Sequence, residues 1–181
     1  MEALDGIAKE HGLKLLFDAS HAFGYTCKGK SIARLGEAHV FSFHATKFLN
    51  TFEGGAVFTD RDDLAAKIRL MKNFGFSGYD SVSYVGTNGK MNEVSAAMGL
   101  TNLESLEEMI AANRRVYRAY RRELSGIKGV RLLRYDEKER CNYQYIVLEI
   151  DPAEVKIPRD CIVDVLHAEN VVARRYFHPG C

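Results

Sequence analysis

The stretch that most limits what this chain can fold into is residues 39–58, HVFSFHATKFLNTFEGGAVF. It opens with an apolar run, His39-Val40-Phe41-Ser42-Phe43, and closes with a second, Ala56-Val57-Phe58. Runs this short and this apolar read as strands covered by protein rather than as helices or surface loops. Between them lie a polar turn, His44-Ala45-Thr46, a lysine, Lys47, and a second turn around Glu53-Gly54-Gly55, whose glycines supply backbone freedom. A lysine on a bend after a buried strand is poorly placed for surface work and well placed to meet a carbonyl. Lysine amines form Schiff bases, and apolar surroundings favour the neutral, nucleophilic amine.

The flanking segments fit an α/β chain. Residues 2–11 are expected as a helix, with Leu4, Ile7 and Ala8 on one face and Gly12 as its stop. Leu13–Phe17 reads as a strand buried on both faces, with Asp18 at its carboxyl end, the edge where open α/β sheets bind ligands. Residues 24–38 read as loops with a short hairpin. Asp60 is a suitable N-cap for a helix over 61–73, with Leu64, Ile68 and Met71 inward. The segment 74–92, rich in Gly, Ser, Tyr and Asn, is a long irregular stretch of the kind that is functional or disordered. Phe74, Phe76, Tyr79 and Tyr84 argue for order. One long helix is expected over 93–124, with Val94, Ala97, Met98, Leu103, Leu106, Ile110, Tyr117 and Tyr120 as its apolar stripe. After Gly126 and Gly129 come strands at 130–133 and 143–150, separated by the polar DEKERCN. A helix runs from Pro158 to about Glu169, and a strand starts at Val171–Ala173. The expected organisation is an α/β region over 1–92, a connecting helix over 93–124 and a smaller α+β region over 125–181.

At 181 residues with 46% hydrophobic and 27% charged side chains, the chain can bury a sizeable core. A net charge of +1 gives no general attraction to nucleic acid or anionic membrane. Arg114-Arg115 and Arg121-Arg122 are diluted by acidic residues 104, 107 and 108, so a solvated face outweighs a nucleic-acid patch. No apolar run approaches the ~20 residues of a membrane span, and the charged N-terminus lacks a signal-peptide core. Cys27, Cys141, Cys161 and Cys181 are widely spaced, as for free thiols in a reducing cytoplasm.

Three segments together carry a resemblance: Phe17-Asp18-Ala19-Ser20-His21-Ala22-Phe23-Gly24, then Ser42-Phe43-His44-Ala45-Thr46-Lys47 followed by Glu53-Gly54-Gly55, then Gly86-Thr87-Asn88-Gly89-Lys90-Met91-Asn92-Glu93-Val94. In this order they resemble the sugar aminotransferases of the DegT/DnrJ/EryC1/StrS family. The match runs over nearly the whole chain and corresponds to the interior of the longer family members. The resemblance implies a pyridoxal-phosphate transferase of fold type I, here as part of the large α/β domain followed by part of the small α+β domain. It implies that Lys47 binds the aldehyde of pyridoxal 5'-phosphate and that Asp18 pairs with the pyridine nitrogen. It further implies that His21 lies near the ring hydroxyl and that Ser42 contacts the phosphate. Asn88 and Lys90 would reach the phosphate of a neighbouring subunit, with Lys90 where arginine is common, so the contact would be less geometrically fixed. Arg174-Arg175-Tyr176 falls where family members line the substrate pocket.

Each residue also has an ordinary reading. Asp18 could cap a turn, His21 could be a satisfied core histidine, Ser42 could bond only to backbone, and Arg174-Arg175 could be a solvated pair. His44 reads as a packing or capping residue.

The implied reaction is transfer of an amino group from L-glutamate to a nucleotide-linked keto sugar. H-A-T-K-F-x-N-T-F-E-G-G and A-R-R-Y-F-x-P-G resemble the subgroup acting on dTDP-4-keto-6-deoxyglucose. A homodimer with a shared active site and a cytoplasmic location follow from the same resemblance, with no nucleic-acid or membrane partner. Two other readings stay open. One is a truncated, oligomerising module that does not catalyse, because the family's N-terminal Gly-Thr phosphate-binding segment and ring-stacking aromatic have no counterpart. The other is a sugar dehydratase relative, against which Lys47 argues, since that branch carries histidine there. The chain by itself is therefore expected to bind the cofactor weakly and to self-associate.

Overall fold

The computed structural model describes residues 2–176, His178 and Gly180. Its elements, in chain order, are α1 (Glu2–Glu10), β1 (Leu16–Asp18), β2 (Thr26–Cys27), β3 (Lys30–Ser31), β4 (Ala38–Ser42), β5 (Gly55–Phe58), α2 (Asp62–Met71), β6 (Phe76–Gly78) and β7 (Ser81–Val82). There follow α3 (Glu93–Glu104), α4 (Leu106–Glu123), β8 (Val130–Leu132), β9 (Leu148–Ile150) and α5 (Arg159–Ala168). None of the described helices is long and apolar enough to cross a membrane.

The chain divides into two compact units, one of residues 1–114 and 136–144, the other of residues 115–135 and 145–181. The division falls inside α4. The stretch 136–144 rejoins the first unit even though residues on both sides of it belong to the second.

The first unit is built on a three-stranded sheet of order β1-β4-β5. β1 and β4 are parallel, with Asp18 opposite Val40, and β4 and β5 are antiparallel, with Ser42 opposite Gly55. Gly55 is required by the close approach of the two strands, because a Cβ there would stand 2.7 Å from the carbonyl oxygen of Phe41. The crossover from β1 to β4 contains no α-helix. It is the expected hairpin, β2 with β3, followed by a short 3-10 turn at Ile32–Arg34. Because β1 and β4 run the same way, their carboxyl ends share one edge of the sheet. Asp18 and Ser42, with the Lys47 turn just beyond, are therefore delivered to the same side.

The core of this unit is aromatic. Phe41, Phe43, Ala19 and Leu49 are buried together. Phe23 meets Phe41 and Phe43 edge-on, at 5.9 and 5.8 Å between ring centroids. The expectation of strands covered on both faces is met only in part: Ala38 and Phe41 are buried, and Phe58 is 43% exposed. Leu16, Val40 and Val57 are exposed by 68%, 49% and 43%. In sheet register they alternate with the covered row of Phe17, His39 and Phe41, as the two-residue period of a strand requires.

Several other expectations shift. The single helix over 93–124 is two helices, α3 and α4, broken at Ser105. The face that α3 buries is small and polar, Ser95 and Gly99, while Val94, Leu100 and Leu103 are exposed by 71%, 65% and 44%. Close approach explains this: a Cβ on Gly99 would lie 2.8 Å from Cγ2 of Thr51, so only a small residue fits against the lysine loop. The helix is capped by Asn92, whose side chain accepts from the Ser95 N–H, and is tied down by Asn102, which donates to the Asn50 carbonyl at 2.8 Å. On α1, Ala8 is buried whereas Leu4 and Ile7 are half exposed. The cap of α2 is Arg61 without a side-chain bond, so Asp60 does not fill that role. The aromatic 74–92 segment is ordered around the β6–β7 hairpin. Gly75, at φ +79°, lies so close to Tyr84 that a Cβ would overlap its carbonyl oxygen.

In the second unit, β8 and β9 pair antiparallel, Val130 opposite Ile150. Tyr117 is fully buried, sits edge-on to Tyr135 at 5.1 Å, and its hydroxyl accepts from the Tyr135 N–H. The strand expected over 143–150 is only Leu148–Ile150, since residues 136–144 turn away to the first unit. Val171–Ala173 forms no strand.

Candidate active site

At the carboxyl end of β1 the chain turns sharply. Both the backbone N–H and the hydroxyl of Ser20 donate to Asp18 Oδ1, at 2.9 and 2.5 Å. These bonds, the hydroxyl first, hold the Asp18 carboxyl below its usual range, and the charges of His21 and Lys47 add to the effect. Asp18 is therefore a carboxylate at neutral pH. The turn-cap reading of Asp18 is thus correct as far as it goes. The cap also fixes the orientation of a carboxylate that remains exposed.

Lys47 closes a tight turn in which its N–H donates to the His44 carbonyl at 2.8 Å. The His44 ring and the Thr46 hydroxyl are 2.9 Å apart, and the Thr46 N–H donates to His44 Nδ1. His44 thus braces the turn, as expected. The loop is anchored on both sides of the lysine. Phe48, Leu49 and Thr51 are buried next in sequence, the Thr51 N–H returns to the Phe43 carbonyl, and the Phe43 N–H donates to that of Gly54.

The anchored loop brings Lys47 Nζ to 2.8 Å from His21 Nε2 in a partly buried contact. A charged lysine can only donate, so Nε2 is the acceptor and the ring proton sits on Nδ1. Burial first, and the charge of Lys47 second, push the His21 titration below the ordinary histidine range, so the ring is neutral at pH 7. Asp18, His21 and Lys47 are thus an electrostatically coupled group built from two strand ends. The core-histidine reading of His21 gives way to a specific partner, the amine.

The other residues singled out from the sequence are placed differently. Ser42 ends β4 and its hydroxyl accepts from the His44 N–H at 3.4 Å, the backbone role considered for it. Asn88 and Lys90 form a separate exposed pair at 2.7 Å, with Lys90 Nζ also 4.2 Å above the Phe74 ring. Arg175 is paired with Asp160 and Asp164 on α5, each at 3.0 Å, and Tyr176 is edge-on to Tyr145 at 5.7 Å, all within the second unit.

Sequence reasoning missed a third support of the site, the stretch 136–144. Asn142, 1% exposed, donates through Nδ2 to the carbonyls of His21 and Phe23, both at 3.1 Å. Gln144 Nε2 donates to the Thr46 carbonyl at 2.7 Å. No spacing in the sequence signals contacts spanning about a hundred residues. The polar DEKERCN reads only as a connection.

The donor set suits pyridoxal phosphate at two of its three handles. A protonated ring nitrogen needs a fixed anion, which Asp18 would supply, and an aldehyde needs a nearby amine, which Lys47 would supply. For the phosphate, the edge offers the Ser42 hydroxyl.

This α/β chain, with a lysine–imidazole–carboxylate group at the carboxyl edge of a mixed sheet, has the fold of the type I pyridoxal-phosphate transferases. The model of the DegT/DnrJ/EryC1/StrS aminotransferase family matches residues 1–181, and the chain belongs to that family. It is 35% identical over 178 residues to a dTDP-4-amino-4,6-dideoxy-D-glucose transaminase of Shigella dysenteriae, covering 98% of this chain and 48% of that protein. It is 32% identical to a GDP-perosamine synthase of Caulobacter vibrioides, covering 99% of this chain and 49% of that one. Its fold matches the crystal structure of DesI in the presence of its TDP-sugar product with a TM-score of 0.92 at 50% identity, covering 99% of this chain and 46% of that one. The chain thus spans about half the length of the relatives it matches.

Proposed function

We propose that this chain carries the lysine half of a pyridoxal-phosphate aminotransferase that moves an amino group from L-glutamate to a nucleotide-linked keto sugar. The observation that carries the reading is the 2.8 Å contact between Lys47 Nζ and His21 Nε2. It stands at the sheet edge where the Ser20-bonded Asp18 carboxylate also lies. When bound, the cofactor supplies an electron sink for the substrate carbon that loses its proton.

Each residue has a definable task. Lys47 Nζ, when free, would accept the proton that the substrate carbon loses and give it up again within the site. Neutral His21 accepts a hydrogen bond from the amine and so aims its lone pair. Asp18, held ionised by Ser20, keeps a proton on the ring nitrogen. Ser42 contributes a hydroxyl to the phosphate. Asn88 and Lys90, exposed and paired with each other, serve the site of a neighbouring subunit.

The finer assignment to a dTDP-4-keto-6-deoxy sugar rests on the names of relatives such as the Shigella transaminase. The relatives also include a GDP-perosamine synthase, so a nucleotide-linked sugar is better supported than any one nucleotide. A homo-oligomer is supported by the apolar surface left on α3 and on the open face of the sheet. A cytoplasmic location is supported by the free thiols of Cys27, Cys141 and Cys161.

The test is to incubate the chain with pyridoxal phosphate, reduce with borohydride and map the peptides. The pyridoxyl group is expected on Lys47, and labelling at Lys67 or Lys72 in its place contradicts the assignment. Absorption spectra before and after glutamate then separate binding from amino transfer.

A further inference from the structure

The stretch 136–144 does more than fill space beside the lysine. Asn142 is buried, and its side-chain amide and its carbonyl are all bonded. Its Nδ2 holds two carbonyls, His21 and Phe23, its Oδ1 accepts from the Gln144 N–H at 3.1 Å, and its own carbonyl accepts from Asn113 Nδ2 at 3.0 Å. The Oδ1 bond spans two residues and closes an Asx turn over Tyr143. Tyr143 is itself buried and held at φ +52°, a conformation that a non-glycine residue keeps only where its surroundings impose it. Two residues beyond Asn142, Gln144 reaches the carbonyl of Thr46, the residue before Lys47. The far end of the stretch is fastened by Glu139, which accepts from the Thr26 hydroxyl at 2.6 Å and the Gly29 N–H at 3.1 Å.

One rigid turn therefore grips the backbone of His21 with one side chain and the backbone next to Lys47 with another. The two segments also share the aromatic packing of Phe23 on Phe43, and their reacting side chains meet through the amine–imidazole bond, a single flexible contact. We propose that Asn142 and Gln144 are positioning residues, a clamp that sets the Lys47–His21 separation and so keeps His21 Nε2 an acceptor for the amine. This deepens the aminotransferase reading and rests on Lys47 being its reacting amine.

Gln144 provides a clean test. A carbonyl only accepts, so the atom facing Thr46 is Nε2 and the amide orientation is fixed. Oε1 is then buried without a hydrogen-bond partner. Gln144→Leu removes that unpaired acceptor together with the clamp bond, so global stability should change little. Positioning should be lost all the same.

The measurement is two-dimensional 15N spectroscopy of the His21 ring in the 181-residue chain, identified by its loss in His21→Gln. In the native chain the Nδ1–H tautomer is expected, with titration below the ordinary histidine range. In Gln144→Leu the ring should shift toward the Nε2–H tautomer and its titration should move up, while the melting temperature stays close to native. Asn142→Ala should shift both further in the same direction. If it does not fold, Gln144→Leu decides alone. A folded Gln144→Leu chain with the native tautomer and titration overturns the proposal. The readout requires no turnover. A chain that shows these shifts but takes the reduced pyridoxyl label at a lysine other than Lys47 refutes the function and leaves the clamp, and a label on Lys47 with an unshifted ring in Gln144→Leu does the opposite.

Discussion

His39 should be a net burden on stability, and one that grows as the pH falls. The ring lies on β4, 1% exposed, stacked on Phe17 at 4.7 Å and 20° and on Phe41 at 6.3 Å and 24°. Neither ring nitrogen has a hydrogen-bond partner. A buried, unpaired polar group costs about 1–3 kcal/mol. Phenylalanine keeps the stacking and removes both nitrogens, at some cost in extra volume, so His39→Phe should gain about 1 kcal/mol at pH 7.5.

The pH dependence has a definite sign. Burial lowers the native titration of His39, so below about pH 6.5 the unfolded chain binds a proton that the folded chain refuses. Stability then falls with pH at up to about 1.4 kcal/mol per unit for each such group until the native form also titrates. His21 is lowered in the same direction, so the native chain carries two such contributions and His39→Phe retains one. The lowered carboxylates, Asp18 among them, act only near and below about pH 4. The assay is urea denaturation followed by circular dichroism at half-unit steps from pH 7.5 to 5.5. A variant that is less stable than the native chain at pH 7.5, or one with an unchanged slope, refutes the reasoning.

Three further outcomes can be checked. Asp18→Asn should leave the fold intact and lower the glutamate half-reaction in the cofactor-loaded protein by on the order of 10²-fold or more, measured by stopped-flow absorbance. A near-native rate contradicts the proposed role. Gly99→Val should destabilise by about 1–3 kcal/mol in urea melts, because its Cβ would meet Thr51, which is only 2% exposed. An unchanged midpoint would mean that α3 does not press on the lysine loop. Tyr117→Phe strips the acceptor from the Tyr135 N–H and should cost about 1–3 kcal/mol, read from the same melts, with Tyr117→Leu costing more through the lost ring packing.

What the sequence determined by itself is local. Alternating short apolar runs and helical stripes were enough for an α/β chain, because burial follows periodicity within a few residues of each position. The Lys47 turn, the Asp18 strand end and the β2–β3 hairpin were legible for the same reason, and the segment resemblance supplied the chemistry to attach to them. Parallel pairing of β1 with β4 then placed Asp18 and Lys47 at one edge of the sheet.

Tertiary structure decided whatever depends on partners far along the chain. Which side of α3 is buried could not be read from its apolar residues, because the buried side carries Ser95 and Gly99, and a Cβ on Gly99 would stand 2.8 Å from Thr51 of the lysine loop. The long helix breaks at Ser105, and residues 136–144 leave the expected strand to join the first unit. Asn142 and Gln144 are ordinary polar residues until folding brings them to the carbonyls of His21, Phe23 and Thr46, across sequence separations of 121, 119 and 98. Hydrogen bonds reach about 3 Å in space whatever the separation along the chain, and a sequence pattern records only the second of those distances.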